Sequence, residues 1–286
     1  MTFKTILVPL EGSESGASVL ETALAVARTF EGHLEVLHVK ADPREVFAFL
    51  SEPATAGTVE LVMEAAEKNA NALAAKARAL FDEFCRKSGV TVAAARPAAG
   101  GMFASWIEEV GLAGELVAER GRVADLIAVA RPAEKDPAPV FLETALMETG
   151  RPILIAPPKA SKTLATNVAI AWNDSAQAAR AVTVAMPFLT RAEKVTVLTV
   201  KGRDEADASP RDLAAHLAWH GVKASTKTIT AGAKHAGEAL LAECQGLGAD
   251  LLVMGGFGHS RVREIILGGV TQHVLSAARI PVLMMH

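Results

Sequence analysis

Short unbroken apolar runs alternate along this chain with longer segments in which apolar residues return every three or four positions. Residues 5–10 (TILVPL) form the first run. A run this short, without alternation, predicts a parallel strand buried on both faces. Glu11, Gly12 and Ser13 read as a turn, and residues 14–30 as a helix with Ala17, Leu20, Leu24 and Ala27 on one face. The same opening then returns. Residues 168–172 read as a strand, Asn173, Asp174 and Ser175 as a turn, and 176–189 as a helix. Ile6 thereby aligns with Val168, Glu11 with Asn173, and Ser13 with Ser175. Second strands are predicted at 33–39 (HLEVLHV) and 194–200 (KVTVLTV), third strands at 90–94 and 222–229, and fourth strands at 125–130 and 250–255. Each half closes on a proline followed by apolar residues, RPILI at 151–155 and IPVLM at 280–284. The chain is therefore an internal repeat. Its expected domains are 1–157 and 167–286, joined by a linker over 157–166 rich in Pro, Lys, Ser and Thr.

Alternation of strand and helix within each half predicts the fold class: α/β, as two doubly wound open parallel five-stranded sheets in tandem. Ligands in such sheets bind beyond the C-terminal ends of the strands, where strand order reverses. Residues 153–155 and 282–284 are predicted to lie at the join of the halves about a pseudo-two-fold axis, because edge strands this apolar need covering. The first half also carries an excursion over 41–58, with an apolar patch at Val46, Phe47, Phe49 and Leu50. It reads as a lid, a subunit contact or an ordinary loop. A long helix over 59–88 follows, with Leu73, Ala77, Leu80 and Phe84 on one face and Glu67, Asn71, Arg78 and Asp82 on the other.

Composition narrows the classes. The 286 residues suffice for two medium domains. A net charge of −3 provides no overall basic surface, so no nucleic-acid partner is expected. The two cysteines, Cys85 and Cys244, lie far apart in predicted helices, which suits a reducing cytosol rather than a disulfide framework. The opening MTFKTILVPL enters a strand pattern with no signal-peptide layout, and no apolar run is long enough for a bilayer. A cytoplasmic protein without a membrane partner is expected.

The most informative chemistry lies in residues 249–271 (ADLLVMGGFGHSRVREIILGGVT). A buried strand ends at Met254, Gly255 and Gly256; Gly258 follows, and after nine residues Gly268 and Gly269 open a helix through Val270 and Thr271. Glycine lets backbone approach closely, and a helix start presents free N–H groups and a positive dipole end, which together suit phosphate. The same glycines also suit tight strand-to-helix packing. His259, Arg261 and Arg263 lie inside the loop, either as a phosphate clamp or as solvated charges. No Walker A loop and no Rossmann fingerprint is present. In the first half the corresponding loop is shorter. Pro132, Pro137 and Pro139 lack N–H groups, and Glu134 and Asp136 repel phosphate.

The spacing Gly255, two residues, Gly258, nine residues, Gly268 resembles the nucleotide loop of the universal stress protein family. ILVPLEGSESG resembles that family's opening strand and turn, with Glu11 where the family carries Asp and Asn173 at the matching place in the second half. Val39 and Val200 match the valine that ends the family's second strand. Where the family has Ser or Thr after the third glycine, this chain has Gly269. The resemblance implies an adenine nucleotide-binding (adenine nucleotide alpha hydrolase-like) fold and a stress-response role. It implies ATP or another adenine nucleotide as ligand, with or without Mg. The contacts it assigns in the second half are Asn173, Val200, Met254, Gly255, Gly258, His259, Arg261, Gly268, Gly269, Val270 and Thr271. It also implies pairing of domains through their final strands, here as an internal pseudo-dimer, with a homodimer of tandem chains as a further option.

No catalytic set is identifiable. His216 and His220 share a helix face, but two histidines make an incomplete zinc site. Ser13 and Ser175 suit helix capping better than nucleophilic attack. Trp172 reads as core. The expected function is a nucleotide-binding regulatory protein. The alternatives are a nucleotide-free scaffold acting through protein contacts, or a slow ATP hydrolase in which His259 positions water.

Overall fold

The computed structural model describes residues 2–13, 15–42, 56–95, 101–131, 140–201, 209–231, 235–256 and 269–286. The first half runs β1 (Thr5–Pro9), α1 (Gly16–Phe30), β2 (His33–Lys40), α2 (Ala56–Ser88), β3 (Thr91–Val92), β4 (Phe103–Val110), α3 (Ala113–Gly121), β5 (Leu126–Ala130), α4 (Val140–Glu148) and β6 (Ile153–Ala156). The second half runs β7 (Asn167–Ala171), α5 (Ala176–Leu189), β8 (Lys194–Lys201), α6 (Pro210–Trp219), β9 (Ala224–Thr230), α7 (Ala236–Leu247), β10 (Leu251–Gly255), α8 (Gly269–Ala277) and β11 (Val282–Met285).

Among the described residues these strands form one sheet of eleven, in the order β3-β4-β2-β1-β5-β6-β11-β10-β7-β8-β9. Every neighbour is parallel except one pair. β6 and β11 run antiparallel, with Ile155 opposite Val282, Leu154 opposite Leu283 and Ile153 opposite Met284. That register is symmetric about Leu154 and Leu283, so the predicted join of the final strands is the seam of the molecule. Strand residues alternate between the two faces. Ile6, Val8, Leu154, Ile170, Val253 and Leu283 enter one core cluster, and Leu7, Ile127, Ile153, Ile155, Met254 and Val282 the other. Both clusters run through the seam. Phe188 of α5 reinforces it, stacking on Phe3 at 5.1 Å and meeting Phe30 edge-on at 5.1 Å.

The repeat extends to polar detail. Asp125 Oδ2 accepts hydrogen bonds from the backbone N–H groups of Lys4 (2.8 Å) and Thr5 (3.0 Å). Asp250 accepts from Asn167 (2.8 Å) and Thr166 (3.1 Å) in the same way. An aspartate just ahead of β5 or β10 thus satisfies the free donors at the start of β1 or β7.

Three expectations need correction. The first half's counterpart of β9 is β4, which pairs with β2 as β9 pairs with β8. The run expected there as the third strand gives only the two-residue β3, an added edge beyond β4, so the first half has six strands. Ala17 faces solvent, and the buried stripe of α1 runs through Val19, Leu20, Ala23, Leu24, Val26 and Ala27. On α2 the buried face is Ala70, Ala74, Ala77, Phe81 and Phe84, while Leu73 is 38% exposed. The apolar patch at Val46, Phe47, Phe49 and Leu50 lies outside the described residues.

Leu154 and Leu283 are fully buried and directly opposed. Leu154→Ala and Leu283→Ala should each lower unfolding free energy by about 2–5 kcal/mol. The double variant should depart from additivity by about 0.5 kcal/mol or more, because the residues share a cavity. Urea denaturation of the four proteins checks both numbers; strict additivity would mean the seam is not packed as described.

Candidate functional site

The C-terminal ends of β7, β8 and β10 lie side by side in the second half. Ala171 pairs with both Leu198 and Met254, and Trp172 N–H donates to Leu198 O at 2.8 Å. This places Asn173, Val200, Met254 and Gly255 at one edge of the sheet. α8 leads back to β11, which runs parallel to β10, so its first residues, Gly269, Val270 and Thr271, belong to that same edge. Gly258, His259, Arg261 and Gly268 lie outside the described residues.

Asn173 is exposed and organises the start of α5. Its Oδ1 accepts from Ser175 Oγ (2.7 Å) and Ser175 N–H (3.3 Å), and Ser175 Oγ accepts from Ala178 N–H (3.1 Å). Asp174 takes φ +60° to make that turn. Among the described residues the Asn173 amide nitrogen has no hydrogen-bond partner. Val200 is half-buried, whereas the Met254 side chain is buried in the core, so Met254 can offer only backbone to a ligand.

The glycines divide into two kinds. A Cβ on Gly255 would lie 2.6 Å from Ala178 N and 2.7 Å from Gln177 C, so this glycine admits the first turn of α5. A Cβ on Gly256 would lie 2.9 Å from Leu146 Cδ2 and 3.0 Å from Met284 Sδ, so this one admits α4 and β11. Gly256 is further held by its N–H donating to Met285 O (2.8 Å) and by a hydrogen bond between its carbonyl and His286 Nδ1 (3.2 Å). Gly269 differs. Among the described residues nothing approaches its Cβ position within 4 Å. No described neighbour therefore requires glycine at the opening of α8, while Thr271, two residues on, is buried. α8 is anchored from the first half at its other end, where Arg131 donates to the carbonyls of Ser276 and, at 3.3 Å, Ala278. A cation at the negative end of a helix is favourable.

The matching edge of the first half holds Glu11, Gly12, Ser13, His38, Val39 and Lys40, which line a cavity of about 620 Å³ beneath α2. Burial raises the Glu11 carboxyl above the ordinary carboxylate range. His38 was not singled out in the sequence. Its one signal was an imidazole within an otherwise apolar run, one residue before Val39. The other candidates are unassembled. His216 and His220 contact each other at 4.9 Å between ring centroids, and no metal-binding cluster of three occurs among the described residues. Burial pushes the Cys85 thiol up to about 11 and the Cys244 thiol up to about 12.

Comparison with known proteins agrees with the repeat. The model of the universal stress protein family matches residues 2–142 and again 165–286. A universal stress protein from Archaeoglobus fulgidus DSM 4304 superposes with a TM-score of 0.67 at 18% identity, over 98% of this chain and 97% of that one. A functionally unknown protein from Pseudomonas aeruginosa PAO1 superposes with a TM-score of 0.55 at 15% identity, over 99% and 92%. At these identities the likeness is one of fold. Universal stress protein Slr1230 from Synechocystis is 45% identical over 49 residues, which span 17% of this chain and 17% of that protein.

Two outcomes follow from this geometry. Gly255→Ala should destabilise the fold by about 1–3 kcal/mol, since the added methyl meets α5 backbone rather than a movable side chain; the urea midpoint reads this. Iodoacetamide at pH 8 should leave both cysteines unmodified in the folded protein and label both after unfolding, because the buried thiols stay protonated. Rapid native labelling of either, seen by mass spectrometry, would contradict the placement.

Proposed function

The chain belongs to the universal stress protein family in both halves, and on that premise we propose that it is a cytoplasmic, nucleotide-binding regulatory protein of the stress response. Its second half takes one adenine nucleotide, with or without Mg. The observation that carries this reading is the opening of α8. As the first turn of a helix, Gly269, Val270 and Thr271 have backbone N–H groups with no intrahelical acceptor, at the ligand edge of a doubly wound sheet that also carries Asn173 and Val200, and among the described residues nothing lies within 4 Å of the Gly269 Cβ position. A triphosphate needs such donors, because burying its charge without partners is prohibitive. The free Asn173 amide nitrogen and the backbone around Val200 suit the base and sugar. Gly258, Gly268, His259 and Arg261 complete the set in sequence. No residue on this edge is placed as a catalytic base, so turnover is not part of the proposal.

One observation favours a second reading. Packing against α5, α4 and β11 already accounts for Gly255 and Gly256, which is what a nucleotide-free scaffold would also need. Intact-mass analysis of the gently purified protein separates the two: nucleotide that co-purifies supports the first reading, and repeated absence supports the scaffold. Among the described residues no helix is long and apolar enough to cross a membrane.

The binding experiment is calorimetric. Gly258→Val with Gly268→Val should abolish ATP binding, while Ala133→Val in the first half should leave it nearly unchanged. Gly269→Ser, which has room for its side chain, should tighten ATP by about two- to twelve-fold through one added hydrogen bond. Two equivalent sites per chain, or binding that survives the double glycine variant in a folded protein, would contradict the assignment.

A further inference from the structure

Helix α6 links β8 to β9, and β9 is the last strand of the sheet. The helix therefore flanks one end of the molecule, far from the seam. Its inner face is ordinary: Leu213 and Leu217 are buried, 5% and 0% exposed. Its outer face is not. A solvent-facing helix surface normally carries charge. Residues 213–222 (LAAHLAWHGV) contain no Asp, Glu, Lys or Arg. Ala215, His216, Ala218, Trp219 and His220 are all exposed. Trp219 is 89% exposed, whereas Trp106 and Trp172 pack against a core cluster. Tryptophan is ordinarily well buried, and a charge-poor patch with an aromatic anchor is the composition of a protein interface.

The histidines indicate which partner. His216 and His220 stand four residues apart, and their rings meet at 4.9 Å between centroids with 61° between planes. Two imidazoles on one tetrahedral zinc, with Zn–N bonds of about 2.0–2.1 Å, place their centroids about 5 Å apart. The pair is spaced to chelate. It supplies two of the four ligands of a closed zinc site, and no cluster of three His, Cys, Asp or Glu occurs among the described residues. The missing half must come from another molecule. A second copy of this chain carries the matching pair, and a two-fold axis sets one patch against itself.

We propose that His216 and His220 are half of a zinc site that joins two copies of this chain through α6. Four imidazoles hold one ion on the axis. Trp219 is covered in the contact, and the small side chains of Ala215 and Ala218 let the two helices approach. Imidazole binds metal as the neutral ring, so the ion keeps its double positive charge. Asp212 lies one turn before His216, and its carboxylate from each copy offsets that charge. This site is independent of the nucleotide reading of the second half, since none of its residues belongs to the edge formed by β7, β8 and β10.

Light scattering of the metal-stripped full chain, with and without Zn²⁺, tests this. One Zn²⁺ per two chains should double the metal-free mass, and EDTA should reverse the change. Trp219 emission should shift over the same titration. Co²⁺ in place of Zn²⁺ should give the intense visible bands of a tetrahedral ion. His216→Ala and His220→Ala should each abolish the doubling, and circular dichroism should show both variants folded, because the residues are exposed. His235→Ala, outside the patch, should double as wild type does. Trp219→Ala should weaken association by about tenfold or more while keeping the zinc requirement. The proposal is overturned if Zn²⁺ leaves the mass unchanged, if the doubling survives in folded His216→Ala and His220→Ala, or if Co²⁺ bound at these histidines shows only the weak bands of an octahedral ion.

Discussion

The antiparallel pairing of β6 with β11 is the constraint on which the rest of the structure depends. Each half alone would end in a fully apolar strand with an open row of N–H and C=O groups, which is a template for association with other chains. Here each covers the other, with Leu154 and Leu283 fully buried at the centre. Two sheets become one, and both cores become continuous across the join. The pairing also fixes orientation. Parallel strands on either side of an antiparallel seam must point in opposite directions, so the two ligand edges face apart. The two strand edges share a scaffold without sharing a surface.

The scaffold repeats more faithfully than the chemistry. The aspartate that closes the start of each first strand is kept, at Asp125 and Asp250, and so is the backbone bond that ends it, at Leu10 and Trp172. The ligand edges diverge. The second offers a helix opening at Gly269 with no described neighbour over its Cβ position, and Asn173 on the same edge. The first offers a cavity roofed by α2, with a buried imidazole and a carboxyl group pushed up by burial. One frame occurs twice, and the long α2 (Ala56–Ser88), against the short α6 (Pro210–Trp219), sets the first edge apart from the second.

Much of this was legible in the sequence, for physical reasons. Strands covered on both faces must be apolar throughout, so β1, β5, β7 and β10 stand out as unbroken runs, and two matched sets of them reveal the repeat. The Pro-plus-apolar endings pointed to the seam because such edges cannot stay bare. β4 was missed because FASWIEEV is buried only over its first residues and carries two glutamates where the sheet nears its edge. A two-residue β3 holds no pattern long enough to read. The glycines illustrate a deeper limit. Gly255, Gly256 and Gly269 look alike in sequence, yet the first two have close neighbours in space and Gly269 has none among the described residues. His38 was hidden for the same reason: a buried ring nitrogen with no partner among the described residues is a property of surroundings, and no spacing announces it.

The central claim is that the two halves share one fold and that the proposed nucleotide site lies in the second, with its phosphates at the opening of α8. A crystal structure of the full chain grown with ATP tests it most directly. The account predicts triphosphate density against the opening of α8, near Gly269 and Thr271, with the base toward Asn173 and Val200, and no triphosphate beneath α2. Triphosphate density lying between Gly12 and Lys40, against His38, would contradict it.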